Sequence, residues 1–228
     1  LLSNAEGKKR TQQQILLAFS AVLKSAVSDK LLAANVVDDI LRNTDKVNYK
    51  PKESRPLTPA EKKAVFEADY KYDSDQTYVY LIYGCGLRRE ECVALTVFDF
   101  NFTKRELSVS RAYEYITNTP GVKDPKSYNG TRTIPIPAKI LPVVQNYVEN
   151  VKHSGRTQLF TTMQYKKPLT KSAYDKMWGR IVDAMQAVCS EEIVKLTGHV
   201  FRHNYCSSLC YQIPRILLNS WVTRKKWS

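Results

Sequence analysis

No stretch of this chain approaches the roughly 18 consecutive apolar residues that a membrane-spanning helix needs, so a helical integral membrane protein is excluded. Acidic side chains are scarce. There are 22 Asp and Glu against 35 Lys and Arg in 228 residues, a formal net charge of +13. Such a surplus points to a polyanionic partner, and with no basic amphipathic membrane helix evident, nucleic acid leads. The acidic pairs near a motif are Asp38-Asp39 and Glu90-Glu91, and neither has a histidine at ligand spacing. The expectation is therefore no metal and no cofactor. A Gly-x4-Gly-Lys-Ser/Thr phosphate loop is missing as well, which leaves nucleotide hydrolysis unsupported.

Cysteines are few and odd in number, five, behind an opening Leu1-Leu2-Ser3-Asn4 too short and polar for an export signal. They read as reduced thiols of a cytoplasmic protein. Cys206 and Cys210 lie four apart without a second ligand pair and are expected as packed thiols rather than zinc ligands. Internal repeats and low-complexity tracts are also missing. At 43% hydrophobic and 25% charged the composition is that of a globular protein with ample core.

The apolar pattern predicts helices over 10–28 and 35–41, two elements too small to bury a core alone. Starting at Leu1 without a methionine, they look like part of a larger unit. A polar, basic, proline-bearing linker covers 43–57. Thr58-Pro59-Ala60-Glu61 then opens the main domain with a capping box and a first-turn proline. Helices are predicted at 76–83 and 88–95, broken at Gly84-Cys85-Gly86, and again at 137–152 and 170–188. The 170–188 helix carries an apolar stripe from Tyr174 to Val188 that reads as core. Strands at 106–113 and 131–136, joined through an Asn-, Pro- and Gly-rich segment, predict a long β-hairpin.

Three places carry polar residues that a core does not explain: Gly86-Leu87-Arg88-Arg89-Glu90-Glu91, the hairpin from Lys123 to Arg132 with Lys126 after Pro125, and His199-Val200-Phe201-Arg202-His203 entering a last helix that runs to about Ile213. Arginines, a lysine and a histidine from separated segments suit a phosphate site. Guanidinium groups stay charged and bind two phosphate oxygens in a fork. Donors aimed at charge that grows in a phosphoryl-transfer transition state are worth about 3–4 kcal/mol each.

In this order and spacing the three segments resemble the tyrosine recombinase, or phage-type integrase, family of mobile elements. Gly86, Arg88 and Glu91 match its Gly-x-Arg-x-x-Glu box, with Leu95 and Asp99 following. Pro125-Lys126-Ser127 through Gly130-x-Arg132-x-Ile134-Pro135 matches its lysine-bearing hairpin, and His199, Arg202 and His203 match His-x-x-Arg-His. The likeness covers most of 58–213.

It implies a mainly α fold with a small antiparallel β-sheet, here a catalytic domain at 58–216. The helices at 1–42 would be the end of an incomplete core-binding domain. It implies double-stranded DNA as partner, tetrameric self-association on DNA, and site-specific recombination through a 3′-phosphotyrosine intermediate with neither metal nor nucleotide. Arg88 and Arg202 would clamp the scissile phosphate, His199 would add a hydrogen bond and proton transfer, and Lys126 would protonate the leaving 5′-oxygen. Glu91 and His203 would support them from behind.

The likeness stops before the family's nucleophile. No tyrosine follows Tyr211, and Tyr205 and Tyr211 lie too close to Arg202 to serve, so both are expected to pack. The tail at 217–228, with Trp221 and Trp227, has no periodicity. Translated one nucleotide upstream, Trp221-Val222 forces a glycine preceded by Leu, Met or Val and followed by Asp, His, Asn or Tyr. That fits the family's Leu-Gly-Asp or Leu-Gly-His box and predicts a frameshift shortly before Leu217. The chain is thus expected to bind DNA without cleaving it, as a C-terminally truncated recombinase of marginal stability.

Overall fold

The structure is a computed structural model that describes residues 8–44, 47, 49, 55–123, 131–162 and 167–212. The chain divides into two units, Leu1–Glu53 and Ser54–Ser228.

In the first unit α1 (Lys9–Ser28) packs against α2 (Ala34–Arg42). Val37 is the residue they bury, while Leu17, Phe19 and Val22 stay exposed along α1. Two helices supply too little surface to cover one another, as their length dictates.

The second unit is built round α4 (Asp73–Cys85). This helix buries Tyr78, Val79, Leu81, Ile82 and Cys85 and touches α5 (Arg89–Val93), α6 (Leu141–His153), α7 (Lys171–Val188) and α8 (Gly198–Gln212). An apolar surface on nearly every side makes it the central helix. Before it in the chain, α3 (Pro59–Glu67) packs against α7, and its capping box joins Thr58 and Glu61 reciprocally. Arg55 then closes on the same carboxylate at 2.6 and 2.7 Å. On α7, Tyr174, Met177, Ile181 and Met185 are buried as the stripe predicts, but Val188 at its end is exposed.

Two small antiparallel sheets flank the helices. One has the order β1 (Phe100–Asn101), β2 (Glu106–Val109), β5 (Arg132–Pro135), and the other pairs β3 (Ala112–Glu114) with β4 (Gly121–Lys123). Leu107 faces Ile134 and Val109 faces Arg132 across the β2–β5 ladder. The architecture is mainly α with small antiparallel sheets, as expected.

Four details differ from the sequence reading. The helix break lies at Gly86 alone, in the left-handed conformation at φ 60°. Gly84 stays helical, and its lack of a side chain lets α4 run close to Ile140: a β-carbon there would come within 2.6 Å of Ile140 Cδ1. The single strand at 106–113 is two strands. Between them Arg111 bonds Thr96 at 3.0 Å and Asp99 at 2.5 Å, and β3 turns away to its own partner. The 88–95 helix is shorter, Arg89–Val93: Leu95 leaves it to accept from the Leu159 N–H, and Thr96 after it pairs with Gln158. The helix predicted from 137 begins at Leu141, after a turn at 138–140 and with Pro142 in its first turn.

Candidate phosphate site

Gly86 stops α4 and turns the chain so that Arg88 precedes the first turn of α5. The carboxylate of Glu91, one turn on, is 8% exposed and saturated. It accepts the Arg88 backbone N–H at 2.8 Å, Arg88 Nη1 at 2.8 Å, and Arg132 Nη1 and Nη2 at 3.0 and 2.6 Å. Burial alone pushes the Glu91 carboxyl upward, but the Arg132 fork and the two Arg88 donors outweigh it and hold it at about 2. Arg88 itself keeps 54% of its side chain exposed, so the outer edge of its guanidinium is open to a ligand.

Helix α8 brings the second group. His199, Arg202 and His203 fall at i, i+3 and i+4 and share one side of the helix. Val200, Phe201 and Asn204 are buried and fix its rotation. Arg202 Nη1 donates to the Gly86 carbonyl at 2.5 Å, tying α8 to the turn that presents Arg88. His199 is exposed, and with Arg88 and Gly198 it lines an open cleft of about 270 Å³ walled by Arg89, Tyr174 and Trp178. Arg89 stacks its guanidinium 5.2 Å from the Tyr174 ring centre and pairs with Glu90 at 2.7 Å. Trp178 Nε1 donates to Leu196 O at 3.2 Å, which anchors the approach to α8.

The structure thus brings Arg88, Glu91, His199 and Arg202 round one turn, with His203 exposed one turn further along α8. Lys126 lies in 124–130, outside the described residues, between β4 and β5. The tail at 217–228 is outside them too. Tyr205 packs its ring over Gly86, as a structural tyrosine would. Cys206 and Cys210, expected to be packed, are exposed, because they continue the outward stripe of His199 and His203. Among the described residues no three His, Cys, Asp or Glu side chains converge as metal ligands, and no helix is long and apolar enough to cross a membrane.

Arg132 is the participant that residue-by-residue reading passes over. The signal was available: in a strand of period two it shares the inward face with Ile134, and an inward arginine needs a carboxylate.

Residues 55–212 match the phage integrase family. The chain belongs to that family. It is similar to the transposase from transposon Tn916 of Enterococcus faecalis, 22% identical over 193 residues that make up 80% of this chain and 47% of the relative. It is also similar to tyrosine recombinase XerA of Pyrococcus furiosus, 30% identical over 156 residues, 68% of this chain and 48% of the relative. This integrase-family chain therefore spans about half the length, or less, of the curated relatives it matches. Among solved structures, the Tn1549 transposon integrase in complex with transposon right-end DNA superposes with a TM-score of 0.69 at 24% identity, over 93% of this chain and 70% of that one. The XerA recombinase does so at 0.52 and 14%, over 92% and 66%. At these identities the superpositions speak for the fold.

Proposed function

We propose that this chain is the DNA-binding and phosphate-handling part of a site-specific recombinase of a mobile element. Its substrate is double-stranded DNA. The observation that carries the reading is the convergence of Arg88, His199 and Arg202 on the Gly86 turn of a chain with net charge +13. Arg88 and Arg202 take the non-bridging oxygens of the scissile phosphate, and Lys126 gives a proton to the leaving 5′-oxygen. A tyrosine oxygen bonds to phosphorus as the P–O5′ bond breaks, its phenolic proton passing toward His199. Energy stored in the phosphotyrosine link lets the free 5′-hydroxyl rejoin without nucleotide. Glu91 and His203 support the set, and assembly on DNA is tetrameric, as family membership suggests. We place 1–42 as the end of a core-binding domain, 43–57 as the linker and 58–216 as the catalytic domain.

No tyrosine of residues 1–228 is assigned as the nucleophile. Tyr205 is committed to Gly86, and none follows Tyr211. A second reading, a DNA-binding remnant without chemistry, draws on the same fact. The test incubates residues 1–228 with duplexes carrying the ends of the surrounding element, followed by denaturing electrophoresis. Retarded DNA with no denaturant-resistant adduct is expected. An adduct formed by these residues alone overturns the nucleophile assignment, and loss of all duplex binding overturns the DNA reading. Continuing the upstream frame through the tail and beyond Ser228 to a tyrosine separates the two readings: a recombinase then forms the adduct, and a remnant does not.

A further inference from the structure

Arg132 bonds Glu91, the carboxylate that also holds Arg88, yet nothing in the proposed chemistry uses it. It stands at the start of β5, directly after the 124–130 segment that holds Lys126. Its side chain points inward with Ile134 and is 27% exposed, half as open as that of Arg88. Both its terminal nitrogens donate to Glu91, in a fork that only guanidinium supplies. The same two carboxylate oxygens receive the Arg88 backbone N–H and Arg88 Nη1. From α8, the Tyr205 phenol lies within electrostatic reach of Arg132 while its ring covers Gly86.

From this geometry we infer that Arg132 is a positioning residue. Through Glu91 it fixes the Arg88 guanidinium and locks β5 to the turn that presents Arg88. It is assigned no direct phosphate contact, because its guanidinium is turned onto Glu91 and its side chain is half as exposed as that of Arg88. The consequence is coupling: Arg88 is worth more to DNA binding when the Arg132 fork is intact. That part of the inference rests on the proposed DNA reading.

The test uses Arg132→Lys, which keeps the charge and loses the fork. Hydrogen exchange at the Arg88 amide is measured in the free protein, and duplex affinity is measured in a cycle with Arg88→Ala. Faster Arg88 exchange than in wild type is expected, at unchanged far-UV circular dichroism. Arg88→Ala should cost about three- to tenfold less affinity in the Arg132→Lys background than in wild type, a coupling of about 0.7–1.4 kcal/mol. Unchanged Arg88 exchange overturns the inference, as do penalties that multiply independently. If wild-type protein binds no duplex, the DNA reading fails while the exchange result still decides the role of Arg132. Should Arg132→Lys not fold, Arg132→Gln serves in the same two measurements, because it removes the fork and leaves the Glu91 carboxylate that Arg88 bonds in place.

Discussion

Gly86 is where backbone geometry and site geometry meet, so Gly86→Ala is the most informative single change. At φ 60° an L-residue pays about 1–2 kcal/mol for the left-handed conformation. The added β-carbon would fall against the Tyr205 ring, 2.6 Å from Cγ and 2.8 Å from Cε1. Those atoms belong to one edge of a rigid ring held on α8, not to a free chain end, so α8 has to shift, at an overpacking cost of about 1–3 kcal/mol. The sum, about 2–5 kcal/mol, corresponds to a Tm drop of roughly 4–20 °C for a domain of this size. Because Arg202 donates to the Gly86 carbonyl, the shift also moves Arg202 away from Arg88. Thermal denaturation of Gly86→Ala, with and without Tyr205→Ala, separates the two contributions. With the ring removed, the glycine substitution should cost only its backbone share. Gly84→Ala is the internal control: its neighbour is the terminal methyl of Ile140, which can rotate, and alanine favours the helix, so a change within about 1 kcal/mol is expected. A Gly86→Ala variant as stable as wild type, or equally damaging in both backgrounds, would refute the reasoning.

Asp75 is 1% exposed and held by Arg180 in a fork at 2.9 and 3.0 Å. Arg180→Met should therefore cost about 3–5 kcal/mol in urea denaturation by stranding the carboxylate, and adding Asp75→Asn should recover a large part of it. Glu91, held at about 2 against the usual 4.5, contributes stability that is complete above pH 4.5 and is lost as pH falls toward 2. From that difference about 3 kcal/mol should disappear over the window, and Glu91→Gln should lose the corresponding share of the pH dependence in urea titrations at pH 6, 4 and 3. Cys206 and Cys210 are exposed, whereas burial pushes the Cys85 thiol up to about 12 and that of Cys92 upward as well. A chromogenic disulfide reagent should thus label 206 and 210 at once, and 85 and 92 only on unfolding; early labelling of Cys85 or Cys92 would contradict the packing around α4.

The parts of this fold written in short-range code were legible in the sequence. The Thr58–Glu61 capping box and the α7 stripe depend on residues three or four apart, and Arg88, Glu91, His199, Arg202 and His203 sit in segments recognisable by spacing. What escaped depends on partners distant in the chain. The split between β2 and β3 is set by Arg111 reaching back to Thr96 and Asp99. The role of Gly84 follows from the close approach of Ile140. The Arg132–Glu91 fork spans 41 positions, and neither residue announces the other. Cys206 and Cys210 misled because four-residue spacing says that two side chains share a face, not which face is covered.

The central claim, that Arg88 and Arg202 grip a DNA phosphate, is tested most directly by the salt dependence of duplex binding. Equilibrium affinities of residues 1–228 and of the Arg88→Ala/Arg202→Ala variant would be measured on one duplex by fluorescence anisotropy across a range of salt concentrations. Each lost phosphate contact flattens the plot of log affinity against log salt by about one unit. The account predicts weaker binding by the variant and a slope shallower by about 1–2 units. Equal affinity and equal slope would contradict it, and would leave the convergence of these two arginines without a ligand.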